Sequence, residues 1–334
     1  MLKRFLIENW EKFTESEMPK AMQVIPISSC TESFGNDIVL IFINNSTFPN
    51  YIFKSSRNST FGHKVRNEYR SLKILSANSI LSNIIPTPLY LDEYNEKPFF
   101  LQEGIQGISL FELIKNKGLN KKTEKLVNKS VDLLVDIGNT KSSCPSVRNN
   151  SVYDYEQIHD IFKNELNSSS NRKNVEKLIK DKQMLEKENN SFFFHGDYWQ
   201  TNIIVDYRKE NINGIIDWEF SESSMFFPKD LIWFLINLGF CLCLHKDPKV
   251  GILDSYKLVF FSNGRLRDIV VACFSRYMKA IGWDRSLLPV LLEMTLFEMS
   301  MRELLAYGEH YKMDNVLKEL FVYTIENERN LCAL

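Results

Sequence analysis

No run in this 334-residue chain is apolar for long enough to cross a bilayer. The longest, Leu231 to Leu244, is interrupted by Asn237 and Gly239. It falls short of the ~20 residues a membrane helix needs, so it predicts a buried helix and no membrane insertion. The first residues lack the uninterrupted apolar stretch of a secretory leader. Instead Leu2, Phe5, Leu6, Trp10 and Phe13 recur at helical spacing among Lys3, Arg4, Glu8, Glu11 and Lys12, which predicts an amphipathic helix packed on the domain. The six cysteines include no CxxC pair, and the closest two, Cys241 and Cys243, lie inside the long apolar run. Reduced thiols of a cytoplasmic protein are therefore expected, not a disulfide framework or a zinc site. The final Leu-Cys-Ala-Leu puts its cysteine third from the end, out of register for prenylation. A dominant charge is missing too. The formal net charge is −1, which gives no electrostatic reason to expect a nucleic-acid or anionic-membrane partner. There is no internal repeat, no G-x-G-x-x-G and no Walker motif.

What is there has a globular balance. With 44% apolar and 25% charged residues, the chain can bury a sizeable core, and its length suits about two domains or lobes. From about 22 to 103 the pattern predicts strands with one helix. A strand over Ile38–Ile43, turn residues from Asn44 to Asn50 and a partner strand over Tyr51–Lys54 make a hairpin. A helix follows from about Val65 to Ala77, stopped by Ile85-Pro86-Thr87-Pro88, with further strands at Leu89–Leu91 and Pro98–Gln102. Beyond the flexible Glu103–Gly107, helices are expected at Ser109–Lys115, Lys121–Ile137, Tyr155–Asn167, and about 229–244, 266–281, 286–307 and 312–329. Asn139–Ser151 and Asn167–Asn171 read as a loop and a turn. The order predicts an α+β fold with a small strand-rich lobe, 1–103, then a hinge and a large helical lobe, 104–334.

One β-rich island, Phe192 to Trp218, interrupts the helical half. Ile203–Asp206 and Gly214–Asp217 predict a hairpin around the polar turn Tyr207–Asn213. Antiparallel pairing sets Ile203 opposite Asp217, so Asn202 and Asp217 share one end of the hairpin, and Asp197 lies in the loop just before it. Asp206 is expected to be a turn residue only. Carboxylate and amide oxygens converging at one spot suit Mg²⁺, whose other positions are filled by water or substrate phosphates. A carboxylate beside the metal could deprotonate an attacking hydroxyl. Asp and Asn are common in turns. The joint pattern of His195-x-Asp197, Asn202 five residues on, and an apolar strand ending in Asp217 is far rarer than any one member.

Here the sequence resembles a known family. His195-Gly196-Asp197 with Asn202 looks like the catalytic loop of the aminoglycoside phosphotransferase and choline kinase group, relatives of the protein kinases. Ile216-Asp217-Trp218-Glu219 looks like that group's metal-binding segment, and Pro228-Lys229-Asp230-Leu231 its helix-opening Asp-Leu pair. The nearest likeness is to phosphotransferase-like proteins of bacterial surface-polysaccharide gene clusters. It implies a bilobal protein-kinase-like fold, with an antiparallel-sheet N-lobe for the nucleotide and a mainly helical C-lobe for catalysis and the acceptor. It further implies that Asp197 is the catalytic base, that Asn202 and Asp217 hold Mg²⁺ against the phosphates of ATP or GTP, and that His195 and Asp230 are structural.

Such a lobe needs a strand lysine and a helix glutamate. Lys54 ends an apolar strand on the face of Ile52, and Glu68 lies among Val65, Tyr69, Leu72 and Leu75 on one helical face. An inward glutamate needs a partner. Lys54 is the first candidate, with Arg57, Lys64 and Arg66 as rivals. Ser28–Asp37 takes the place of a glycine-rich loop with a single glycine. Leu101–Gly107 resembles the family's hinge, where the backbone of Gln102 and Gly104 would hydrogen-bond the purine.

The expected partners are a nucleoside triphosphate and a small hydroxyl-bearing acceptor such as a sugar, an amino alcohol or an aminoglycoside-like molecule. Nothing in the sequence assigns an oligomeric state. Only about ten residues separate Glu219 from the next helix and no Ala-Pro-Glu follows, which leaves little room for an activation loop and peptide-docking platform and favours a small acceptor, with a protein or RNA kinase as the alternative. The presence of Lys54, Asp197, Asn202 and Asp217 together argues against an inactive nucleotide-binding scaffold. Glu293, Glu298, Glu303 and Glu309 would wall a cationic acceptor or form a solvated helix face.

Overall fold

The computed structural model describes residues 2–14, 17–28, 36–140, 191–225, 228–307, 316–327 and 331. The helix expected at Tyr155–Asn167, the turn at Asn167–Asn171, most of the Asn139–Ser151 loop and residues 29–35 lie outside them. So do Glu309 and the Glu303 side chain. The chain forms two compact units. The first is Met1–Leu113 with His195–Asp197 and Thr201–Ser221; the second is Ile114–Phe194 with Tyr198–Gln200 and Glu222–Leu334.

The first unit is built on a five-stranded antiparallel sheet: β1 (Met22–Ser28), β2 (Asn36–Ile43), β3 (Tyr51–Ser56), β4 (Pro88–Tyr94) and β5 (Lys97–Glu103), in the order β1-β2-β3-β5-β4. The expected hairpin is present, with Leu40 opposite Ile52. Strand β5 is buried at every position from Pro98 to Gln102, because both faces of the sheet are covered. One face carries the N-terminal segment, α1 (Leu2–Glu8) and α2 (Trp10–Phe13). Its expected amphipathic character holds, since Leu6, Trp10 and Phe13 close a cluster with Ile41, Tyr51 and Leu101. The Trp10 and Tyr51 rings meet edge to face at 5.6 Å. The helix breaks at Asn9, whose side-chain amide donates to the Phe5 carbonyl at 2.9 Å, a local bond that competes with helix propagation. The other face carries α3 (Gly62–Ser76), where Tyr69 meets Phe100 and Glu68 meets Lys54.

A second sheet of the first unit, in the order β6-β8-β9, joins β6 (Ile108–Ser109) to the hairpin β8 (Ile203–Asp206) and β9 (Asn211–Ile215). In the second unit β7 (Ser191–Phe194) pairs with β10 (Glu222–Met225). The helices are α4 (Leu110–Lys117), which carries the chain from the first unit into the second, α5 (Lys121–Gly138), α6 (Lys229–Lys246), α7 (Ile252–Phe260), α8 (Arg265–Ile281), α9 (Leu288–Tyr307) and α10 (Val316–Glu326). Helix α5 starts with a reciprocal Asn120–Thr123 capping box. Helix α6, the long apolar run, is buried almost all round, and no helix among the described residues is long and apolar enough to cross a membrane. Helix α7 was not expected; it is nine residues long and opens on Gly251 without a side-chain cap.

The N-terminal cluster should contribute directly to the first unit's stability. Trp10→Ala is expected to cost about 3–5 kcal/mol in urea unfolding, as for a large aromatic lost from a core. Ile7→Ala, at a position 44% exposed, should stay within about 0.5 kcal/mol. Equal effects would mean that α1 and α2 do not stabilise the sheet.

Candidate active site

Lys54, Glu68, Gln102, Gly104, Asp197, Asn202 and Asp217 all fall in the first compact unit. Lys54 lies within β3, which continues to Ser56, and alternation sends its side chain to the α3 side of the sheet. There its ammonium donates to both oxygens of Glu68 at 2.7 and 2.9 Å and to Oδ1 of Asp217 at 2.9 Å. Glu68 is fully buried, whereas the Asp217 side chain is 36% exposed. Burial alone would depress the Lys54 ammonium, but Asp217 and Glu68 outweigh it and hold it above its ordinary range. Burial pushes Glu68 up to about 7 despite Lys54, and the Asp217 charge adds to the rise. Burial works against the charge on Asp217 as well, yet Lys54 keeps it below the usual carboxylate range.

The hairpin register differs from expectation. Ile203 pairs with Ile215, not with Asp217, and the ladder shifts between Ile204 and Val205. The second strand therefore ends two residues before Asp217. The Ile216 amide donates to the Asn202 carbonyl at 2.9 Å, which still brings Asp217 beside Asn202. Asp217 is left-handed, φ +69°, a conformation Asp tolerates better than most residues. Asp206 behaves as the turn residue expected, accepting from the Arg208 and Lys209 amides.

Asn202 donates its amide to the Asp197 carbonyl at 2.9 Å and to Asp197 Oδ2 at 3.1 Å. With its nitrogen spent there, the amide oxygen is its remaining polar atom. His195 braces the loop. Its Nδ1 accepts from the Asp197 amide at 3.2 Å, and its Nε2 then carries the proton and donates to the Ile216 carbonyl at 2.9 Å. Gly196 is left-handed, and a Cβ there would lie 2.1 Å from the Phe220 carbonyl. Gln102 is buried near the end of β5. The Gly104 amide donates to the Asn50 carbonyl at 2.7 Å, so in this conformation it is not an available donor.

A second polar group lies next to the first, in which sequence reasoning had named Lys64 only as a rival partner for Glu68 and had not paired it with Glu219. Glu219 accepts from Asn36 at 2.7 Å and pairs with Lys64 at 3.6 Å. Asn67 donates to the carbonyls of Glu219 and Ser221. Lys64 precedes Glu68 by one helical turn, the only sequence signal that ties it to this place. Carboxylate oxygens of Glu68, Asp217 and Glu219 lie within 4.8 Å of one another. These three carboxylates form an oxygen-only set of the kind that suits a hard divalent cation. Of the acidic residues expected near the acceptor, Glu293 is buried. Glu298 acts on a cation of its own unit: burial disfavours the Lys229 charge, but Glu222, its ion-pair partner, and Glu298 hold it above its ordinary range.

The model of the phosphotransferase enzyme family matches residues 34–235, more than half of the chain. Among solved structures, a candidate aminoglycoside phosphotransferase from Ralstonia eutropha JMP134 is similar at 12% identity and a TM-score of 0.59, covering 99% of this chain and 95% of that one. Aminoglycoside phosphotransferase APH(3'')-Id from Streptomyces rimosus is similar at 11% identity and a TM-score of 0.48, with 85% and 98% covered. A comparison with curated protein sequences finds no match. The first structural likeness carries the fold, and the expected α+β protein-kinase-like class holds, with the antiparallel sheet first and the helices after it.

Glu68 gives a test by pH. Its carboxyl titrates near 7 in the folded protein and near its ordinary 4.5 in the unfolded chain. Between these values the folded state holds a proton that the unfolded state has released, so this contribution to stability falls as pH rises. Burial raises Glu219 in the same direction. The loss of stability between pH 5 and pH 8, from urea titrations, is expected to be smaller in Glu68→Gln. An unchanged difference would show that Glu68 ionises normally.

Proposed function

The chain belongs to the phosphotransferase enzyme family, and from that premise we propose that it transfers the γ-phosphoryl group of ATP or GTP to a hydroxyl of a small molecule, a sugar, an amino alcohol or an aminoglycoside-like compound. The observation that carries the reading is the buried Lys54 ammonium shared between Glu68 and the more exposed Asp217. Glu68 fixes the ammonium, which offers a positive charge to nucleotide phosphates. Asp217 and Asn202 are the residues that would hold Mg²⁺, with Glu219 as a further oxygen donor. The bound ion would neutralise phosphate charge and fix the phosphates' geometry.

Asp197 takes the acceptor's proton in this reading. Its carboxylate is oriented by Asn202 and its backbone amide by His195. The acceptor oxygen forms the new bond to γ-phosphorus, the bridging bond to the β-phosphate breaks, the proton passes to Asp197, and the nucleoside diphosphate leaves. The backbone at Gln102 and Gly104 would face the purine. We assign the nucleotide to lobe 1–103 and catalysis with acceptor binding to lobe 104–334, although Asp197, Asn202 and Asp217 pack in the same compact unit as Lys54. Buried thiols outside any disulfide at Cys241, Cys243 and Cys273 suit the reducing cytoplasm.

Turnover is tested by nucleotide consumption over a panel of sugars, amino alcohols and aminoglycosides. With the acceptor so found, Asp197→Ala is expected to lower kcat by at least about 10²-fold, the scale of general-base catalysis, while binding of a non-hydrolysable nucleotide stays within about threefold, since Asp197 acts on the acceptor and not the nucleotide. Undiminished turnover in Asp197→Ala would refute the assignment.

A further inference from the structure

Base recognition in a nucleotide site needs polar groups that meet the purine edge. The Gly104 amide is committed to the Asn50 carbonyl at 2.7 Å. The approach is close enough to require glycine, since a Cβ at Gly104 would lie 2.0 Å from the Pro49 carbonyl oxygen. The end of β5 is thus pinned to the β2–β3 turn, and one backbone donor is lost to any base lying there.

Two residues earlier stands a polar side chain in an unusual state. Gln102 is 2% exposed, and its Oε1 is buried with no hydrogen-bond partner. A buried orphan acceptor costs about 1–3 kcal/mol, so native proteins seldom keep one without a use. Gln102 lies opposite Ile52, and Phe100 opposite Lys54, across the β3–β5 ladder. Alternation puts Gln102, Ile52, Phe100 and Lys54 on one face of the sheet. At a rise of ~3.4 Å per residue, Gln102 sits about 7 Å along that face from the level of Lys54, toward Gly104. A nucleotide with its phosphates at Lys54 and its base toward β5's end would bring the base edge to Gln102.

We infer that the Gln102 side-chain oxygen reads the purine, accepting a hydrogen bond from the 6-amino group of adenine and so selecting ATP over GTP. Adenine presents a donor at position 6, where guanine presents a carbonyl that would face Oε1 acceptor to acceptor. The inference rests on the nucleotide-dependent reading above and goes beyond it by choosing the base. It makes Gln102 a specificity-determining residue through its side chain, whereas the sequence had suggested only its backbone.

The test is calorimetric titration with non-hydrolysable triphosphates in the presence of Mg²⁺, which reads binding without turnover. Unsubstituted protein should bind the adenosine analogue about tenfold or more tightly than the guanosine analogue and than the purine riboside analogue, which has no 6-amino group, as expected for one buried hydrogen bond. Gln102→Met, close in volume and without an acceptor, should bring the three ligands to within about threefold of one another, the margin left once that bond is gone. Equal affinity of unsubstituted protein for adenosine and purine riboside analogues would overturn the inference with no variant needed, as would an unchanged adenine preference in a folded Gln102→Met protein. Failure of unsubstituted protein to bind any of the three would instead overturn the nucleotide-dependent reading on which it rests.

Discussion

An ammonium group taken out of water must be matched by opposite charge in close contact, or the fold carries a cost of several kcal/mol. Lys54 meets that demand with two carboxylates from distant parts of the chain, Glu68 on α3 and Asp217 beyond the β8–β9 hairpin. The sheet, the helix and the hairpin must all be in place before the charge is balanced. The two carboxylates are not equivalent. Glu68 is sealed in and contacts the ammonium with both oxygens, so it is fixed by what surrounds it. Asp217 offers one oxygen, is partly exposed and keeps its charge easily. It is the partner that can turn to a ligand while Glu68 keeps Lys54 paired.

Helix α3 does more than hold Glu68. Lys64, Asn67, Glu68 and Ser71 stand at i, i+3, i+4 and i+7, one stripe of the helix. Three of them reach the segment after β9: Lys64 pairs with Glu219, Asn67 donates to the Glu219 and Ser221 carbonyls, and the Ser221 hydroxyl donates to that of Ser71. The fourth, Glu68, reaches Asp217 through Lys54. This polar seam fixes residues 217–221 by their backbone as well as their side chains, so a shift of α3 would move the carboxylates of Asp217 and Glu219 together.

The sequence exposed those parts of the molecule whose signals are local. The β2–β3 hairpin was legible because β-branched runs flank an Asn- and Pro-bearing turn. The inward glutamate was legible because Glu68 interrupts the stripe of Val65, Leu72 and Leu75, and Lys54 followed as its partner. The polar seam was not, because the partners of Asn67 and Ser71 lie about 150 residues away. The hairpin register was misread by two residues, because alternation in Ile203–Asp206 carries no mark of the irregularity after Ile204. The strand pairing of β7 with β10 went unseen for a related reason: Glu222–Met225 has no alternating pattern and is defined by its partner. The glycines of Glu103–Gly107 suggested a hinge, but spacing could not show that the Gly104 amide would be taken by the turn before β3.

The placing of Asp197 and Asp217 comes down to one imidazole and two left-handed residues. His195 is fully buried against the Trp218 ring, with centroids 4.4 Å apart. Its unprotonated Nδ1 receives the Asp197 amide while its Nε2–H holds the Ile216 carbonyl. A neutral ring can do both; a protonated one has no acceptor to give. The brace therefore joins the residue before one carboxylate to the backbone of the other, and works only while the ring stays uncharged. Gly196 lets the loop pass the Phe220 carbonyl at a distance no side chain permits, and Asp217, at φ +69°, accepts strain where glycine would have been easier. Glycine there would leave Lys54 with one carboxylate and the oxygen cluster without a member. The strain at Asp217 persists because the Ile216, Trp218 and Lys54 contacts determine its place from three sides. The fold around Asp217 supplies the restraint that keeps its carboxylate at Lys54.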